Sequence, residues 1–221
     1  MQRKLIVLGD SGVYGWGDPD AGGWCERLRR HWMGLPDGPV LYPLGVRGDG
    51  LARVAARLDQ EVQCRGELRR QLPQGILLAV GLNDSARVGR IDGRPQLDAD
   101  GFLFGMQQLL EQARRIAPVL VLGLTPVDEA VMPFADVLWY GLEQVRRYEG
   151  LLEEACLEAD VPFLPLLESL LQDPAWPRWL CTDGLHLNGE GHRQVYERVC
   201  QWPALLRWAE LAPLALHSSL R

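Results

Sequence analysis

The chain has 221 residues, 47% of them hydrophobic, enough to bury one full core and in the range where a single domain is the expectation. Its 29 acidic against 23 basic residues leave a formal net charge of -6, which excludes the basic field that draws phosphate backbones or anionic lipid, so nucleic acid is not an expected partner. No apolar run approaches the roughly 18 residues of a membrane span, and the four apolar residues after Lys4 fall short of the roughly 7 to 15 of a signal-peptide core, so a cytoplasmic chain without stable membrane insertion is expected.

Residues 4–9 form the first short apolar run and read as a strand, followed by helical spacing over 24–33. The alternation continues with a strand over 39–44, a helix over 51–63, a strand over 75–80, a helix over 102–116 and a strand over 119–124. A helix over 142–159, a strand over 161–164 and a last helix over 189–200 complete it. Parallel neighbours need a crossover, so strict strand-helix alternation predicts a parallel sheet of about five strands with helices on both faces. No repeat, low-complexity tract or polar linker divides the chain, and one domain over residues 1–221 is expected, with 209–221 as a C-terminal tail. Two irregular stretches, 125–141 and 172–184, are longer than such a fold needs, and long ordered loops are often functional. The five cysteines are scattered, with no C-x-x-C pair to suggest a disulfide framework or a zinc site.

Ligands of open parallel sheets bind beyond the carboxyl ends of the strands. There the sequence concentrates its polar anomalies. The first strand runs into Asp10-Ser11-Gly12, the second into Gly45-Val46-Arg47-Gly48, the third into Gly81-Leu82-Asn83-Asp84, and the fifth leads through the second long loop to Asp183-Gly184-Leu185-His186. A serine becomes a nucleophile when a base within reach takes its proton and a third group orients that base. Ser11 and His186 suit the first two roles, and Asp183, three residues before His186, lies where a turn can fold its carboxylate onto the imidazole. The Ser11 and Gly48 backbone N–H groups and the Asn83 side-chain amide suit an oxyanion hole.

These four blocks, in this order, resemble the SGNH hydrolases, also called GDSL esterases and lipases: Ser11 in Gly-Asp-Ser, Gly48, Asn83 in Gly-x-Asn-Asp, and His186 in Asp-x-x-His. The resemblance spans residues 4 to about 200. It implies a three-layer α/β/α sandwich with a flavodoxin-like sheet, hydrolysis of a small-molecule ester through an acyl-enzyme on a Ser11-His186-Asp183 triad, and an oxyanion hole of Ser11, Gly48 and Asn83. It implies no metal and no organic cofactor. Gly12 stands where the family usually has leucine, and Tyr42-Pro43-Leu44 replaces an asparagine often found before the glycine, which bears on how the glycine loop is braced.

Each residue also has a plainer reading. Asp-Ser after a strand is an ordinary helix N-cap, Gly48 can serve only a positive φ with Gly45 and Gly50 as its rivals, and Asp84 reads as a cap for the segment that follows it. Of four histidines, only His186 has an aspartate three positions before it at a strand-distal loop; His192 reads as a packed or surface imidazole of the closing helix. Trp16, five residues beyond Ser11, and Phe134 and Trp139 of the first long loop are candidate substrate contacts, with Met132, Leu138 and Tyr140 completing an apolar wall. Val13 breaks the G-x-S-x-G elbow, and no G-x-G-x-x-G or P-loop pattern is present. An acyltransferase using the same triad and a non-catalytic binding module are the competing functions.

Overall fold

Along β1 (Lys4–Gly9), Leu5 and Val7 face one buried cluster while Ile6 and Leu8 face another, so the strand is covered on both sides. That period of two recurs in its neighbours in the computed structural model, which describes residues 2–66 and 71–212. β2 (Val40–Gly45) and β3 (Gly75–Ala79) pair parallel to β1 on either side, β5 (Val119–Leu122) pairs with β3, and β7 (Phe163–Leu164) with β5. The resulting order, β2-β1-β3-β5-β7, is that of a flavodoxin-like sheet, all parallel. The sheet order reverses at β1, so β2 and β3 open on either side of the segment that follows β1.

Between β1 and β2 lie α1 (Ser11–Tyr14) and α2 (Gly23–Met33). α3 (Leu51–Cys64), α5 (Ala99–Arg114) and α6 (Leu142–Glu158) cover one face, burying Val54, Leu58, Phe102, Met106, Tyr148 and Leu152 against Ile6, Leu8, Ile76 and Leu78. α2, α7 (Leu167–Leu171), α8 (Gly189–Cys200) and α9 (Pro203–Ala209) cover the other, where Trp24, Leu28, Val195, Val199, Leu205 and Trp208 pack on Leu5, Val7, Leu77 and Leu120. The three expected layers are present. No helix among the described residues is long and apolar enough to cross a membrane.

Differences from the expected elements have local causes. β7 is only two residues because Pro162 and Pro165 flank it and neither can donate to a ladder. α5 begins at Ala99, ahead of its apolar periodicity, because the Asp98 side chain caps it by accepting from Gly101 N–H at 2.8 Å. Residues 203–209, which no expected element covers apart from the tail's first residue, form α9, whose Trp208 stacks on Trp32 and donates from Nε1 to the Gln74 carbonyl at 3.0 Å. Of the tail expected over 209–221, residues 213–221 lie outside the described residues. The first long loop is an ordered ribbon: β6 (Leu138–Trp139) pairs antiparallel with β4 (Arg87–Val88), which follows α4 (Leu82–Ser85).

Candidate active site

Ser11 opens α1 immediately after β1, at the carboxyl edge of the sheet. Asp10 caps that helix by accepting from the Gly12 N–H at 2.8 Å, and Gly9 lets the turn close: a Cβ there would meet the Ala79 carbonyl oxygen at 2.4 Å and Val13 at 2.5 Å. His186 approaches from the loop between β7 and α8. Its Nε2 lies 3.0 Å from Ser11 Oγ and its Nδ1 2.7 Å from Asp183 Oδ2. The other Asp183 oxygen accepts from the Leu185 and His186 backbone N–H groups at 3.0 and 2.9 Å, so one carboxylate fixes both the turn and the ring. A carboxylate only accepts, so His186 donates from Nδ1 and leaves Nε2 free to receive the Ser11 proton. Partial burial opposes the charge on Asp183, but the His186 backbone and ring donors and the Leu185 N–H outweigh it and hold the carboxyl below its usual range.

The opposite wall is a buried polar network. Asn83 in α4 donates from Nδ2 to Asp10 Oδ2 at 3.1 Å and to the Asp49 carbonyl at 3.0 Å, while its Oδ1 accepts from the Tyr140 hydroxyl at 3.2 Å. Gly48 is exposed, with φ +78°, and a Cβ at it would meet nothing within 4 Å; the backbone conformation, not crowding, calls for glycine. Arg57 of α3 braces this loop, donating to Asp49 Oδ2 and to the Gly9 and Leu44 carbonyls, each at 2.9 Å. It supplies the bracing for which the sequence lacks an asparagine. Asp84 does not cap the segment after it; both its oxygens accept from Leu51 N–H, at 3.1 and 3.0 Å, so it caps α3 instead. Burial is the main cause that raises the Asp10 carboxyl from 3.8 to about 6, against the Gly12 N–H and with help from Asp84 and Asp49.

Between these walls a small cavity of about 60 Å³ runs from Ser11, Asn83 and His186 toward Leu122, Leu166 and Val195. Trp16 lines it and meets the His186 ring edgewise at 6.1 Å. Phe134 meets that ring from another direction at 5.6 Å without lining the cavity, and its own edge contact is with Tyr140. Gly48 and Trp139 do not line it either. Trp139 sits in the β4/β6 ribbon with its buried Nε1 unpaired. Of the two readings for His192, packed or surface, the structure shows the packed one: Nδ1 accepts from Trp24 N–H at 3.2 Å and Nε2 donates to the Trp16 carbonyl at 3.0 Å.

The model of the GDSL-like lipase/acylhydrolase family matches residues 7–194 of the chain. The chain belongs to that family. A GDSL esterase/lipase of Arabidopsis thaliana is 23% identical over 154 residues, 64% of this chain, and the match covers 62% of the plant protein, so the chain spans about three-fifths of that relative. Among solved structures, a lipase/acylhydrolase from Enterococcus faecalis superposes with a TM-score of 0.74 at 18% identity, covering 97% of this chain and 100% of that one. An acetylxylan esterase from Geobacillus stearothermophilus gives 0.70 at 14% identity and covers 97% of each. At such identities these likenesses show the shared fold, and the family assignment rests on the sequence match.

Two supporting residues lay outside the sequence reading, and a third was read in only one of its roles. Arg57 sits among other helical arginines with no motif to mark it. Glu149, inside α6, accepts with Oε1 from the Leu124, Leu166 and Leu167 N–H groups at 2.9 to 3.1 Å and so fixes the chain beside the cavity. Its one visible signal was a carboxylate on the apolar face of α6, between Val145 and Leu152. Tyr140, read as wall, is also a donor to Asn83.

Proposed function

We propose that this member of the family hydrolyses carboxylic esters of short acyl chains through an acyl-enzyme on Ser11. The observation that carries the reading is the unbroken relay Asp183 Oδ2 to His186 Nδ1, and His186 Nε2 to Ser11 Oγ, at 2.7 and 3.0 Å. In acylation, Ser11 Oγ bonds to the ester carbonyl carbon while His186 takes its proton; the C–O bond to the alcohol then breaks, and His186 returns the proton to the departing alkoxide. Water repeats the sequence in deacylation, its oxygen bonding to the acyl carbon as Ser11 leaves with the proton, and the carboxylic acid is released. The Ser11 and Gly48 backbone N–H groups and Asn83 Nδ2 form the oxyanion hole in this reading. Both Asn83 N–H groups already have acceptors, so Asn83 takes up the oxyanion by sharing one of those bonds. A cavity of about 60 Å³, well under the roughly 150 Å³ that holds a benzene ring, supports a short acyl group over a long chain.

The test is hydrolysis of p-nitrophenyl esters from acetate to palmitate by wild type, Ser11→Ala and His186→Ala. Turnover should be highest at acetate to butyrate and should fall by about 10⁴-fold or more in both variants. Activity surviving in Ser11→Ala, or no ester turnover together with no fluorophosphonate labelling of Ser11 in wild type, overturns the reading.

A further inference from the structure

Arg47 precedes Gly48 in the chain, and its guanidinium carbon lies 3.3 Å from the centroid of the ring of Trp16, a residue that lines the Ser11 cavity. That distance is well inside the roughly 6 Å over which an aromatic face attracts a cation. The Trp16 backbone is tied at both its N–H and its carbonyl. Its N–H donates to the Ser11 carbonyl at 3.0 Å, its carbonyl accepts from His192 Nε2 at 3.0 Å, and its ring abuts His186. Arg27, Arg29 and Arg57 all have carboxylate partners, whereas Arg47 makes no ion pair or hydrogen bond within the described residues. The guanidinium of this exposed residue is therefore packed on a ring that itself lines the Ser11 cavity, without an acceptor among the described residues.

Beyond Ser11 the cavity is lined by Leu122, Leu166 and Val195, where an anion would be desolvated without a partner. The acyl group belongs inside, and a charged group has to remain at the rim. We propose that Arg47, stacked on Trp16, is a binding subsite for an anionic group, carboxylate or phosphate, carried on the alcohol portion of the ester. This rests on Ser11 being the nucleophile. The planar, preorganised fork of arginine suits two-pronged recognition of either anion.

The experiment compares kcat/KM for 4-acetoxybenzoate, its neutral methyl ester and 4-acetoxyphenyl phosphate in wild type, Arg47→Gln, Arg47→Lys and Arg47→Glu at low ionic strength. Each anionic ester is read as a ratio to the neutral one, and the change in that ratio between proteins cancels differences in leaving group. The ratio should fall about tenfold in Arg47→Gln, further in Arg47→Glu and less in Arg47→Lys, and the wild-type advantage should shrink as salt is added. A larger loss on the phosphate identifies a phosphorylated alcohol, a larger loss on the benzoate a carboxylated one, and either supports the subsite. Ratios that do not move for either anion overturn it while leaving the hydrolase reading intact. Absence of turnover on the neutral ester, with no labelling of Ser11, overturns the hydrolase reading and the subsite with it.

Discussion

The Asp183 carboxylate makes bonds that span two or three residues, whereas the partners of the Asn83 side chain lie 34 to 73 residues away. The two arms also treat their carboxylates in opposite ways. Asp183 is half-buried, surrounded by donors and held below its usual range, while Asp10, among Asp49, Asp84 and the base of the cavity, is raised to about 6. A short turn can thus bring an ionised carboxylate to a histidine through local bonds, with the Asp128 N–H to Gly184 carbonyl bond at 2.7 Å tying that turn to the rest of the fold. The amide wall needs the whole sheet edge, because its donors and acceptors come from β1, α3, α4 and the ribbon loop at once. Damage to the first arm should therefore silence chemistry without unfolding the protein, and damage to the second should do both.

Asp183→Asn tests the first half of that contrast and has the largest expected effect. The asparagine oxygen can still accept from Leu185 and His186 N–H, so the turn persists, but its NH₂ faces His186 Nδ1 and forces the wrong tautomer. Ester kcat should fall about 10⁴-fold with the melting temperature nearly unchanged. A large loss of stability would show that the arm is not self-contained. Asn83→Ala tests the second half. In the proposed mechanism it removes an oxyanion donor, worth about 10²- to 10³-fold in kcat. It also strips partners from Asp10, the Asp49 carbonyl and the Tyr140 hydroxyl, at a cost of about 1 to 3 kcal/mol in unfolding free energy. Urea unfolding alongside the kinetics separates the two effects, and an unchanged midpoint would mean the network does not hold this wall.

The same contrast explains what was legible in the sequence. The strands β1, β3 and β5 follow from continuous apolar runs and the helices between them from apolar spacing, and α8 ends where its periodicity ends. Ser11, Asp183 and His186 were legible because their relations are short or sit at strand ends. Arg57, Glu149 and the true target of Asp84 were not, because each acts on backbone far away in sequence, and nothing in the residues around them states that destination. The β4/β6 ribbon escaped notice because two-residue strands carry no period. α9 was obscured by the prolines that bracket its segment, although Pro203 in fact occupies the first helical turn, where a missing N–H costs nothing.

A third experiment isolates the buried carboxylate of the second arm. Asp10 is near 3.8 when the chain is unfolded and about 6 when folded, so between those values the folded state holds more protons than the unfolded one. Its contribution to stability is therefore complete at and below about pH 4 and is lost as pH rises through 6. A shift of that size corresponds to about 3 kcal/mol. Asp10→Asn has no proton to lose. Whatever constant offset the new amide introduces beside Asn83, the unfolding free energy of the variant minus that of wild type should climb by about 3 kcal/mol between pH 4 and pH 7. Urea titrations at half-unit pH steps measure that slope directly. A flat difference would place Asp10 among ordinary solvated carboxylates and remove the electrostatic half of the contrast, because the Asn83 wall would then rest on an ionised partner no costlier than Asp183.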